Sequence, residues 1–136
     1  MQSPPSFVTA SLLVTGGGAI GSWLRFATGR VWTLFIGPIA ASAFPWATLT
    51  VNVVGSMLMG VLVGWMARHS AGGEFWRLLL GVGVLGGFTT FSSFSMEFAL
   101  FVERGQLGLG AVYVGVSLVA GFGALFVGLA AMRAVA

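Results

Sequence analysis

Cysteine, lysine and aspartate are absent from the 136 residues, and histidine occurs once, at His69. Without cysteine there are no disulfides and no thiolate metal sites. A single histidine excludes paired-imidazole sites and most general-base schemes. Charge is scarce as well: six Arg and three Glu make up 7% of the chain, where a soluble domain carries roughly a quarter. With 57% hydrophobic residues, there is too little polar covering for a surface facing water, so the outer solvent must be lipid. Arg outnumbers Glu, but the Arg residues are spread singly. No basic patch exists, and nucleic acid is excluded as a partner.

A helix needs about 20 apolar residues to cross a bilayer. Uncharged stretches predict four such helices, at residues 7–25, 45–67, 78–101 and 107–132, forming one all-α membrane domain over residues 1–136. The first lacks the basic flank of a cleavable leader and is expected to be retained. Residues 31–44 are also uncharged, but Gly37, Pro38 and the following Pro45 interrupt helical continuity, so a loop is expected there. Arg68 to Arg77 form a short polar connection, and Glu103, Arg104 and Gly105 form the next turn.

Cytoplasmic loops are normally enriched in Lys and Arg. Four crossings put Arg68, Arg77 and Arg133 on one side and Arg25, Arg30 and Arg104 on the other. That balance removes the usual orientation signal and predicts dual topology, with copies inserted both ways and paired antiparallel. The 22 Gly include Gly17 and Gly21, Gly60 and Gly64, and Gly83 and Gly87. Their four-residue spacing lets helix backbones meet, either within one subunit or between two. Trp23, Trp32, Trp46, Trp65 and Trp76 fall near the expected helix ends, where aromatic side chains anchor at the membrane interface.

The informative residues are polar groups at membrane depth, which are costly there unless they meet a partner or a wet path. Thr48, Asn52 and Ser56 recur every four residues and share one helix face. The Asn52 amide either bonds a neighbouring helix or lines a pathway. Residues Gly86-Gly87-Phe88-Thr89-Thr90-Phe91-Ser92-Ser93-Phe94-Ser95 combine two adjacent Gly with a cluster of hydroxyls. Such a segment either unwinds, freeing carbonyls that could hold a cation, or stays helical with its hydroxyls bonded to the preceding turn. Phe88, Phe91, Phe94, Phe98 and Phe101 repeat at helical spacing. They read as packing, or as ring edges whose positive rim can face an anion. Glu97, a carboxylate in the same helix, either has a role beside such a path or bonds a neighbouring helix.

Three segments resemble the Fluc/CrcB fluoride channels: Gly16-Gly17-Gly18-Ala19-Ile20-Gly21 leading to Arg25-Phe26, Thr48-Leu49-Thr50-Val51-Asn52-Val53-Val54-Gly55-Ser56, and Gly86 to Phe94. The resemblance spans essentially the whole chain. It implies an antiparallel, dual-topology homodimer in the bacterial inner membrane, with a break in the third helix and two pores that pass fluoride passively out of the cell. By the same resemblance, Asn52 donates hydrogen bonds to fluoride, and Phe91 and Phe94 flank the ion with their ring edges. Thr48 and Ser93 add polar contacts. Tyr113 and Ser117 match a polar track on the fourth helix, where Gly121 stands in place of a further hydroxyl. Arg25, ending the first helix, would attract anions near the aqueous entrance. Gly86 and Thr89 match the break whose carbonyls, from both subunits, hold a structural sodium ion at the dimer centre.

Two competing classes fit less well. A small multidrug-type exporter needs a carboxylate in its first helix, which this chain lacks. A membrane subunit without transport activity leaves Asn52 and the Gly86 segment with packing as their only use. No nucleophile, base and metal set suited to an enzyme is present.

Overall fold

The computed structural model describes residues 4–69 and 73–134, and all of its regular structure is helical. In chain order the helices are α1 (Phe7–Ala43), α2 (Trp46–Met66), α3 (Gly73–Trp76), a π-helical stretch (Arg77–Leu85), α4 (Gly86–Phe88), α5 (Phe91–Glu103) and α6 (Leu107–Ala134). Four spans are long and apolar enough to cross a membrane: α1, α2, the interrupted run Gly73–Glu103, and α6. Large apolar side chains face outward throughout, with Phe7, Phe35 and Ile39 each more than four-fifths exposed. A chain solvated by lipid has no reason to bury them.

The first helix does not end near Arg25, and residues 31–44 are not a loop. Helix α1 starts at Ser6, whose side chain accepts the Thr9 N–H, and runs 37 residues to Ala43. The segment before Gly37 alone is about 45 Å long at 1.5 Å per residue, well beyond the roughly 30 Å of a hydrocarbon core. The expected interruption is confined to Gly37, which has φ 80° and ψ 160° and kinks the helix. Pro38 opens the segment beyond the kink, where its missing N–H would have had no helical partner. The Trp32 indole N–H donates to Thr50 Oγ1 at 3.0 Å, and Trp32 stacks on Trp46 with ring centroids 5.6 Å apart, so α1 lies along the start of α2.

The third span begins at Gly73, five residues before the expected Leu78, with Glu74 and Arg77 in a bidentate pair on its first turns. The polar connection expected over residues 68–77 falls partly on residues 70–72, outside the described residues. From Arg77 the ladder widens to the five-residue spacing of a π-helix, and the Gly86 N–H still reaches the Gly81 carbonyl. The fourth span matches its expected start at Leu107 and extends two residues beyond the expected end.

Glycine sets how closely the spans approach. A methyl group on Gly21 would overlap the Val84 carbonyl, and one on Gly17 would overlap that of Leu79. Gly60 meets the Leu125 carbonyl in the same way, and Gly128 meets that of Met57. The Gly17/Gly21, Gly60/Gly64 and Gly83/Gly87 pairs therefore pack helices within this one chain: α1 on the π-helical stretch and α4, and α2 on α6. Because Gly60 meets Leu125 while Gly64 meets Met132, α2 and α6 run in the same direction.

Candidate functional site

The third span breaks where Gly-Gly and the hydroxyl cluster allowed it to. Thr89 and Thr90 are extended, with φ/ψ of −83°/161° and −154°/125°. Helix α4 ends with the Thr89 N–H and Oγ1 both on the Leu85 carbonyl. Helix α5 restarts on Thr90, whose Oγ1 accepts the Ser93 N–H at 3.2 Å. A threonine at this position satisfies a donor that the helix itself leaves open.

An extended backbone inside a membrane strands its polar groups unless something meets them. Asn52 does so for Thr90. Its Nδ2 donates to the Thr90 carbonyl at 3.0 Å, and its Oδ1 accepts the Thr90 N–H at 2.8 Å. Asn is the short side chain that offers a donor and an acceptor together in this geometry. Thr90 is the central residue that sequence reasoning missed. The signal was available in its cap-forming side chain three residues before Ser93, but nothing in one sequence pairs it with Asn52. The clasp also frees a carbonyl. The Thr90 N–H, which would ordinarily close on Gly86, is taken by Asn52.

Arg25 sits differently from expectation. It lies in the middle of α1, and its guanidinium donates to the Thr89 carbonyl at 3.2 Å, so it supports the break and does not terminate a helix. Asn52, Gly55, Ser56, Thr90, Phe91 and Leu125 line a hollow of about 300 Å³ beside the break. Phe91 is 79% exposed, and its ring centroid is 5.8 Å from that of Phe94, which in turn packs 5.2 Å from Tyr113. The Phe repeat therefore divides: Phe101 is 3% exposed and packs in the core, whereas Phe91 stands free of it. Ser93 stays with the break, accepting a hydrogen bond from Thr90 Oγ1 at 3.2 Å.

One turn from Asn52 on α2, Thr48 Oγ1 donates to Glu97 Oε1 at 2.6 Å, and the Tyr113 hydroxyl of α6 donates to Glu97 Oε2 at 2.6 Å. Tyr113 is fully buried and Thr48 nearly so. Glu97 thus ties α5 to α2 and α6 at once. Both Glu97 oxygens accept a hydrogen bond, and buried donors left without an acceptor are costly. Glu97→Ala should therefore lose about 2 kcal/mol of stability, with Glu97→Gln, which keeps an acceptor, losing clearly less. Thermal unfolding of the two variants in detergent checks this order.

Parallel packing sets polar groups of α2 and α6 in successive levels. Thr48 and Tyr113 share Glu97, and eight residues on along each helix Ser56 faces Gly121. Asn52 and Ser117 fall at the level between. Ser117 Oγ is buried with no hydrogen-bond partner. Among the described residues no group of three or more His, Cys, Asp or Glu could hold a metal ion. The carbonyls at the break are a different kind of donor. Gly86 is exposed and its carbonyl has lost the Thr90 N–H, while the Thr89 carbonyl keeps a lone pair beyond the one that Arg25 uses. Hard oxygen donors of this kind fit a sodium ion.

The family model described as CrcB-like protein, Camphor Resistance (CrcB), matches residues 12–129. A protein of Novosphingobium aromaticivorans named fluoride-specific ion channel FluC is 60% identical over 129 residues, covering 95% of this chain and 100% of that one. Proteins of the same name from Erythrobacter litoralis and Agrobacterium fabrum are 49% and 51% identical, covering 96% and 89% of this chain and 95% and 94% of their own. With the family model reaching from the first span into the fourth and across the break between α4 and α5, the chain belongs to the CrcB family.

Proposed function

We propose that this multi-pass membrane protein is a fluoride-selective channel that lowers cytoplasmic fluoride by letting it pass down its gradient. The carrying observation is the Asn52–Thr90 clasp at a broken helix, open to a hollow beside Phe91. An Asn amide has two N–H groups, and the clasp occupies one. The second is a neutral donor for a small anion. The relatives' printed name, fluoride-specific ion channel, supports the choice of anion and a transport role without enzymatic chemistry.

Conduction requires sites strong enough to replace hydration and weak enough to release the ion. The Asn52 amide, the ring edges of Phe91 and Phe94, and the Ser93 and Ser117 hydroxyls form such a series without a fixed cation. The Thr48 and Tyr113 hydroxyls are held by Glu97. An arriving anion and the carboxylate are alternative acceptors for the same two donors, and this gives Glu97 a role beside the path. Arg25 braces the break through the Thr89 carbonyl and stands outside this series. Bacterial cells unable to export fluoride should regain growth on fluoride when they express this chain. Growth no better than without it contradicts the reading.

The assembly we propose is an antiparallel homodimer of dual topology in the inner membrane, with two pores. Arg25 is engaged at the break, so the tally becomes Arg30 and Arg104 against Arg68, Arg77 and Arg133. That is still too even to orient the chain. The exposed Gly86 and Phe91 face and the open hollow suit cover by a second copy. The carbonyls of Gly86 and Thr89, with those of the second copy, would hold a sodium ion. Its charge would offset carbonyl dipoles that lipid cannot solvate. A C-terminal tag should be labelled from both faces of the membrane; labelling from one face alone contradicts dual topology.

A further inference from the structure

The polar face of α2 runs one turn past Asn52 to Ser56, for which the path described so far has no use. Hydroxyls on membrane helices commonly bond back to the preceding turn. Thr28, Thr33 and Ser95 do so here, to carbonyls four residues earlier. Ser56 makes no such bond among the described residues, and it lines the hollow together with Asn52, Thr90 and Phe91. Opposite it stands Gly121. A methyl group on Gly121 would lie 3.8 Å from Ser56 Oγ and meet no other neighbour within 4 Å. Within the chain, therefore, the glycine does not serve close helix packing, as Gly60 and Gly128 do. It leaves space in front of a hydroxyl. One turn back along α6, Ser117 presents a second hydroxyl that is buried and unpaired.

We infer that Ser56 is a further anion-binding hydroxyl on the permeation path, one turn beyond Asn52, and that Gly121 keeps open the space in which the ion meets it. This rests on the channel reading above. A neutral O–H in a hollow already lined by the Asn52 amide and the Phe91 ring adds one more weak donor. Extending the path by one turn lets the ion pass between sites about 6 Å apart and never leave all donors at once. Because Ser56 and Gly121 share a level, a hydroxyl there can come from either helix, and this chain supplies it from α2.

The inference is tested by fluoride release from liposomes containing the unsubstituted protein, Ser56→Ala, and Ser56→Ala combined with Gly121→Ser. Thermal unfolding of each protein is recorded alongside. Ser56→Ala should release fluoride about fivefold more slowly, the size of one lost neutral hydrogen bond, with its unfolding temperature unchanged. The double variant returns a hydroxyl to the same level from α6, where the added Cβ has room, and should regain most of the rate. A packing role for Ser56 would not be rescued this way. Release by Ser56→Ala at the unsubstituted rate, or a double variant as slow as the single one, overturns the inference. Absence of release from the unsubstituted protein overturns the channel reading itself.

Discussion

Asn52→Asp is expected to slow fluoride release by a hundredfold or more while the protein still unfolds cooperatively. The substitution preserves the shape of the side chain and the acceptor that takes the Thr90 N–H. It replaces the donor with a second acceptor facing the Thr90 carbonyl at about the same 3.0 Å. Two acceptors at that distance repel, and the carboxylate adds negative charge where an anion must pass. A buried polar group left unsatisfied costs 1–3 kcal/mol, more when charged. About 3 kcal/mol on the rate-limiting barrier corresponds to a factor of a hundred or more. Asn52→Asp release within a few fold of the unsubstituted rate would mean that the amide only fastens α2 to the break.

Gly21→Ala carries the largest expected effect on stability. The added carbon would overlap the Val84 carbonyl and crowd the Phe88 N at 2.8 Å, both of them backbone atoms that no side-chain rotation can move. Helix α1 would have to back away from the π-helical stretch and α4, which position the break. Overpacking of this kind costs about 3 kcal/mol. Gly29→Ala on the same helix is the control, since its new carbon would meet only Ala47 Cβ at 4.0 Å. Thermal unfolding in detergent should separate the two clearly. Equal unfolding temperatures would show that α1 can shift without cost.

The parts legible in the sequence were those set by solvent and by local chemistry. Lipid as the outer solvent dictated four long apolar stretches, and three of them start or stop close to where charge and proline place them. The break was visible in Gly86, Gly87 and the hydroxyls behind them, because adjacent glycines weaken a helix that hydroxyls can recap. Asn52 stood out because an amide at membrane depth needs a partner. Which partner it takes depends on α2 lying against the break, and that register is set by contacts such as Gly55 against Thr89, which a single sequence does not display. The length of α1 is hidden from the sequence for a related reason. Gly37 and Pro38 do end one helical segment, but a proline that opens a new segment loses no hydrogen bond, so helix resumes at once. For the same cause the sequence places Arg25 at a helix end. Only the fold brings it to the Thr89 carbonyl. In the sequence Glu97 stands out as a carboxylate at membrane depth, with nothing to tie it to Thr48 or Tyr113. Their convergence on it requires α2, α5 and α6 together.

The central claim is that a neutral path of amide, hydroxyl and ring-edge donors passes fluoride selectively. Its most direct test is ion release from liposomes containing the purified protein, followed with a fluoride electrode and, in parallel vesicles, a chloride electrode. Rapid fluoride release with chloride release no faster than from empty liposomes is the predicted result. Retention of fluoride by vesicles containing folded protein, or equal release of the two halides, would contradict it.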